Sequence, residues 1–220
     1  MEKFLKVKGR LQLSNTLNIG VLVSGGGTNL QSIIDACEQG FIPGKVVVVI
    51  SNKKEAYALE RAKKHNIQAI HLNPKDFSSR YEYYEKICNC LERKSVNLVC
   101  LAGFLLKVEN PLLERFKGCI MNIHPALLPC FGGKGMYGHY VHEAVLESGA
   151  KFSGCTVHLV DEKYDHGPII VQRIVPVDDN DTPESLAERV LKEEHKAFPE
   201  AIKLFAEGKI EVVGRRVIKI

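Results

Sequence analysis

Two side chains one residue apart, Asn122 and His124, are the best candidates for chemistry in this sequence. They end the apolar run Cys119-Ile120-Met121-Asn122-Ile123. In an extended strand residues i and i+2 share a face, so the carboxamide and the imidazole project together while Ile123 turns into the core. Pro125 follows, and the residue before a proline is pushed out of the α region, so His124 is held extended. An amide N–H can donate to an oxyanion, and an imidazole can carry a proton near neutrality. The same spacing also suits a buried polar pair satisfied by local backbone groups. Asp165 stands before the turn His166-Gly167-Pro168, where it either orients an acid–base histidine or only shapes the turn. His158, inside an alternating strand, is either a packed core histidine or a partner behind the site. His139 and His142 are three apart, but no carboxylate or thiol is set to complete a site with them, so no metal is expected.

A second constellation lies near the start. Leu17 to Val23 is a continuous apolar run that reads as a strand buried on both faces. It empties into Ser24-Gly25-Gly26-Gly27-Thr28-Asn29, and a helix follows with Leu30, Ile33, Ile34 and Cys37 at helical spacing. A strand, a glycine-rich turn and a helix N-terminus together favour an anion. The dinucleotide fingerprint is absent because its third glycine is missing, and no Lys-Ser/Thr ends a Walker loop. A phosphate monoester on Gly26, Gly27, Thr28 and Asn29 is the functional reading; a plain capped turn is the structural one. Late in the chain, Glu193-Glu194-His195 lies in a helix opened by Thr182 as N-cap and Pro183 at the first helical position. Glu194 either reaches a ligand amine or hydroxyl or belongs to a solvated helix face.

The elements that must position these groups alternate. After the first strand and helix come a strand over Lys45 to Ser51, a helix over Glu55 to His65 and a strand over Gln68 to Leu72. A helix over Arg80 to Lys94 and a strand over Asn97 to Leu101 follow, then a short helix from Pro111 to Phe116. This spacing predicts a doubly wound, mostly parallel Rossmann-like α/β sheet, with ligands beyond the carboxyl ends of the strands. Antiparallel structure is expected later: Cys155 to Val160 and Ile169 to Val177 form a hairpin, and Lys209 to Ile220 closes the chain with a strand or hairpin around Gly214. Pro199 is expected to kink or interrupt the last long helix. Cys130 to Gly138 reads as an irregular loop that covers a site or merely connects.

Composition bounds the function. The chain has 220 residues, 45% hydrophobic and 25% charged, which suits one large domain with a real core. A net charge of +4, spread along the chain, points to neither nucleic acid nor a membrane surface. Seven cysteines without a repeating framework read as reduced thiols of a cytoplasmic protein. Residues 1–16 read as an N-terminal extension without signal-peptide features. Small-molecule substrates and a monomer or homodimer are expected.

Four blocks carry a family resemblance: Ser24 to Gln31, Leu101-Ala102-Gly103-Phe104, Asn122 to Pro129, and Asp165 to Ile170. In this order they resemble the phosphoribosylglycinamide formyltransferases, folate-dependent enzymes of purine synthesis. The resemblance covers roughly residues 17–208. Asn-x-His-Pro with a later Asp is shared with other folate formyltransferases and formyl-folate hydrolases; the glycine-rich turn is more specific. It implies transfer of a formyl group from 10-formyltetrahydrofolate, as co-substrate, to the amine of 5-phosphoribosylglycinamide. Asn122, His124 and Asp165 would be catalytic, with Asn122 on the oxyanion and His124 held charged or oriented by Asp165. The ribonucleotide phosphate would lie on the Gly26 to Asn29 turn, and its glycinamide or ribose end on Glu194. The folate would lie against Arg80, Leu105, Leu106, Lys107 and Val108, Asn122, and Asp161, Tyr164 and Asp165. Leu105-Leu106 stands where many members carry Met-Arg, which removes an arginine from the folate edge. Two other readings share these residues: a formyltetrahydrofolate hydrolase using water in place of the amine, and a non-catalytic nucleotide-binding module that needs only the phosphate turn.

Overall fold

The computed structural model describes residues 16–220; the extension expected over 1–16 lies, except for Thr16, outside them. The strands are β1 (Leu17–Val23), β2 (Gly44–Ser51), β3 (Gln68–His71), β4 (Leu98–Leu101), β5 (Ile120–His124), β6 (Phe152–Leu159), β7 (Ile169–Pro176), β8 (Ile210–Val213) and β9 (Arg216–Lys219). The helices are α1 (Thr28–Glu38), α2 (Tyr57–Lys64), α3 (Arg80–Glu92), α4 (Leu112–Arg115), α5 (His139–Glu147) and α6 (Pro183–Ala206). All nine strands form one sheet in the order β3-β2-β1-β4-β5-β6-β7-β9-β8. The first five are parallel; β6 runs antiparallel to β5, and β7 to β6. The closing hairpin β8–β9 attaches through a single parallel pairing of β9 with β7. The doubly wound sheet with an antiparallel C-terminal portion is therefore as expected.

Helices cover both faces because the central strands are apolar on both. On one face Leu30, Ile33 and Ile34 of α1 and Val190, Phe198 and Ile202 of α6 pack on Ile19, Val21 and Val49. On the other, Tyr83, Tyr84, Ile87 and Leu91 of α3 pack on Leu22, Val48 and Val99. The chain leaves β1 toward β2 and later returns to the other side of β1 as β4, so the strand order reverses between them. Loops at such a switch point diverge and open a crevice beyond the strand ends.

Of the two outcomes expected at Pro199, a kink or an interruption, the interruption does not occur: α6 is a single helix of 24 residues, opened by a Thr182–Ser185 capping box. An interior proline costs about 3 kcal/mol. Leu186, Val190, Phe198 and Ile202 are each fully buried on this helix, and each such burial contributes about 1.5–3 kcal/mol. Packing outweighs the missing hydrogen bond.

Candidate active site

Strand β5 places the central pair. Asn122 and His124 lie on one face, and Met121 and Ile123 are buried on the other. The register with β6 sets His158 directly opposite Asn122 and Thr156 opposite His124. Opposed residues of antiparallel strands share a face, so His158 joins the site. After Pro125 the chain folds back over the strand end. Thr156 holds this return: its hydroxyl donates to the Ala126 carbonyl at 2.6 Å and accepts from the Leu128 amide at 3.0 Å. The return brings the Phe131 carbonyl within 2.8 Å of Nε2 of His124.

That contact settles the imidazole. A carbonyl only accepts, so Nε2 carries the hydrogen and Nδ1 is the free nitrogen of neutral His124. Nδ1 faces Oδ2 of Asp165 at 3.7 Å, beyond hydrogen-bond length. The same oxygen accepts from the Gly133 amide at 2.9 Å, and Oδ1 accepts from Nδ2 of Asn122 at 3.4 Å. Burial pushes the Asp165 carboxyl upward, but the Gly133 amide that donates to it, with His158 and His124 wherever those rings are protonated, draws it below the usual carboxylate range. Burial pushes His124 below the usual histidine value and outweighs the pull of Asp165 and the Phe131 carbonyl. Both shifts run toward a carboxylate beside an uncharged imidazole. Of the two states the resemblance implied for His124, held charged or oriented, the Phe131 contact bears on orientation, because it fixes the ring through Nε2.

The glycine turn builds the neighbouring corner. Gly27 caps α1 with φ of 73°, and a Cβ there would lie 2.6 Å from that of Ala58 on α2. Only glycine fits without strain. The turn's carbonyls are tied to α2: Gly25 accepts from the Ala58 amide at 3.1 Å and Gly26 from Nε of Arg61 at 2.8 Å. The first amides of α1 have no intrahelical acceptor, as at any helix start. Asn29 turns its side chain inward, donating from Nδ2 to Oε2 of Glu194 at 2.6 Å. Glu194 is 7% exposed, so the solvated-face reading is excluded. Burial raises its pKa to about 7 despite the Asn29 bond.

Between these corners lies a cleft of roughly 490 Å³ lined by Asn122, His124, Asp165, His158, Asn29 and Glu194. Its outer walls are Leu105 to Val108, Gly133 to Gly138, and Asp161 with Lys163 and Tyr164. The ammonium of Lys107 lies 5.9 Å from the Tyr164 ring centre. Four residues named from sequence are not among the lining residues. Gly26 and Gly27 belong to the turn itself, with Gly26 exposed, and Thr28 faces a second groove between α1 and α6 with Gln31, Ser32 and Arg61. Arg80 supports the wall from behind, pairing with Glu109 at 2.6 Å and donating to the Lys107 carbonyl at 2.9 Å. Asp161 lines the cleft, but its carboxylate is engaged by Nδ1 of His166 at 2.7 Å. The residue passed over was Phe131, and His158, left open between a core histidine and a partner behind the site, joins the site. The alternation of Thr156 and His158 was visible, but their strand partner was not; Phe131 acts through its backbone and leaves no side-chain signal. Among the described residues no group of three His, Cys, Asp or Glu side chains is placed to hold a metal. No helix there is long and apolar enough to cross a membrane.

An amide donor, an imidazole and a carboxylate meet at the end of a central strand beside a helix start, and groups of these types can serve acyl transfer. Residues 17–202 match the family model described as formyl transferase. The chain is 44% identical over 198 residues to the chloroplastic phosphoribosylglycinamide formyltransferase of Arabidopsis thaliana, covering 88% of this chain and 66% of that protein. It is 40% identical over 206 residues to the trifunctional purine biosynthetic protein adenosine-3 of Gallus gallus, covering 94% of this chain but spanning only 20% of that protein's length. Among solved structures, glycinamide ribonucleotide transformylase 1 from Symbiobacterium toebii superposes with a TM-score of 0.89 at 47% identity, over 93% of this chain and 94% of that one. The chain belongs to the formyl transferase family.

Proposed function

We propose that this protein transfers the formyl group of 10-formyltetrahydrofolate to the glycinamide amine of 5-phosphoribosylglycinamide, a step of purine biosynthesis leading to IMP. The observation that carries the reading is the meeting of Asn122, His124 and Asp165 at one end of a cleft whose other end reaches Asn29 and Glu194. The names of the relatives, phosphoribosylglycinamide formyltransferase and glycinamide ribonucleotide transformylase, support the same substrate pair. The ribonucleotide phosphate takes the amides of the Gly26 to Asn29 turn, and Glu194 takes the glycinamide or ribose end. The folate lies along Leu105 to Val108 and the Asp161 to Asp165 loop, with Arg80 bracing that wall.

The chemistry follows from the resting protonation. The amine attacks the formyl carbon, and the carbonyl oxygen becomes an oxyanion that accepts from Nδ2 of Asn122. Neutral His124 receives the amine proton at Nδ1, its free nitrogen, and the Asp165 carboxylate stabilises the imidazolium. His124 returns that proton to the departing folate nitrogen, with or without an intervening water, as the bond from carbon to that nitrogen breaks and the carbonyl re-forms. The reading calls for small-molecule substrates alone, without nucleic acid or membrane, in a cytoplasmic monomer or homodimer.

A folate absorbance assay with and without the ribonucleotide tests it. Folate product should form only when the ribonucleotide is present. Product formation indifferent to the ribonucleotide would identify a formyl-folate hydrolase instead, and full activity in His124→Ala would remove the assigned chemistry.

A further inference from the structure

We propose that His158 is a positioning residue for formyl transfer: it fixes which end of the Asn122 carboxamide presents hydrogens to the reacting oxygen. This rests on Asn122 as the oxyanion donor. A carboxamide is nearly symmetric in shape, and turned by half a circle about its last bond it would offer an acceptor oxygen where a donor is required. Something must choose between the two orientations. Nδ1 of His158 lies 2.8 Å from the Leu159 carbonyl, which only accepts, so a single ring hydrogen sits on Nδ1 and leaves Nε2 as an acceptor; Nε2 also faces Oδ1 of Asp165, but at 3.7 Å, beyond hydrogen-bond length. That acceptor lies 3.1 Å from Nδ2 of Asn122. The amide nitrogen must therefore face His158, and one of its hydrogens is committed there. The second hydrogen is held only loosely, by Asp165 at 3.4 Å, and is the one an incoming oxygen can take.

The arrangement is rigid. His158 is 2% exposed, and the β5–β6 register sets it opposite Asn122. The Leu159 carbonyl is pinned as well, because Gly167 packs so closely on it that no Cβ would fit. A backbone carbonyl thus sets a tautomer, the tautomer sets an amide, and the amide sets the oxyanion donor. Asp165 does not make this choice alone, because its contact with Asn122 is the longer of the two.

Two substitutions of similar size give opposite expectations. In His158→Gln the amide reaches the place of Nε2 and can still offer Asn122 an oxygen. In His158→Asn the shorter side chain reaches only the place of Nδ1 and offers Asn122 nothing. Steady-state formyl transfer by the purified chain is expected to lose about 10²-fold in kcat for His158→Asn, the scale of a missing oxyanion donor, with both KM values within about twofold. His158→Gln should retain kcat within about tenfold of the parent. In an Asn122→Ala background, His158→Asn should cost no more than about threefold, because the group it positions is gone. The parent transferring, Asn122→Ala impaired and His158→Asn within about threefold of the parent in kcat would overturn the positioning role alone. Equal losses from His158→Asn with and without Asn122 would also overturn it and leave only a packing role. A parent without ribonucleotide-dependent transfer would overturn the underlying reading, and this inference with it.

Discussion

Replacing Glu194 with glutamine separates the burial of this carboxyl from its charge. Glu194 is 7% exposed, Nδ2 of Asn29 donates to it at 2.6 Å, and burial raises its pKa from 4.5 to about 7. Between those two values the folded protein keeps a proton that the unfolded chain has released. The raised pKa therefore contributes stability that is fully present below pH about 4.5 and lost as pH rises through about 7. Over a span of about 2.5 units at about 1.4 kcal/mol each, the loss is on the order of 3 kcal/mol. Glutamine keeps the shape: its oxygen can accept from Asn29, and its amide can donate to Oδ1 of Asn29, which is buried without a partner. Glu194→Gln should match the parent in stability near pH 5 and exceed it by up to about 3 kcal/mol near pH 8. Urea denaturation of both proteins from pH 5 to 8 reads this, and taking the difference cancels the titration of other groups such as His124. A difference that stays constant across that range, within the roughly 10–15% error of linear extrapolation, refutes the argument.

The other predictions concern the reaction. Asn122→Ala should lower kcat by about 10²-fold or more, about 3 kcal/mol of oxyanion stabilisation; steady-state assays showing a loss under about tenfold would count against the donor role. Thr28→Asp puts a negative charge at the start of α1 and should weaken ribonucleotide binding more than folate binding, as read by calorimetry. Equal weakening of both ligands would displace the phosphate from this turn. Gly132→Ala places a Cβ 2.5 Å from Cδ2 of Leu128 and 3.1 Å from Cβ of Asp165, so the carboxylate must shift, and kcat should fall about tenfold with substrate affinities kept. An unchanged kcat with normal folding would show that Asp165 tolerates the shift.

Local features of the chain were legible because they follow from local physics. The i, i+2 spacing of Asn122 and His124 fixes a shared face in any strand, and Pro125 forbids a helix there, so that part of the centre needed no tertiary knowledge. The glycine-rich turn announced itself by composition, and alternating strands and helices announced the parallel half of the sheet. The helix runs on through Pro199 because propensity is a local term and the burial that overrules it is not. The Asn29–Glu194 hydrogen bond joins residues 165 apart in sequence, so the run Glu193-Glu194-His195 looked equally suited to solvent.

The deeper miss is of another kind. The tautomers of His124 and His158 are set by the carbonyls of Phe131 and Leu159, groups that every residue possesses and no sequence pattern marks. Catalytic side chains are chosen for their chemistry and leave a signature of type and spacing. The groups that orient them need only be acceptors in the right place, and the main chain supplies those wherever a loop or a strand edge passes. Substituting Phe131 would therefore leave its carbonyl intact, whereas Gly132 and Gly167, which have no side chain, control where the backbone lies. The sensitive positions around this centre are thus its glycines and its one extra histidine, and a search for polar side chains alone passes over the glycines.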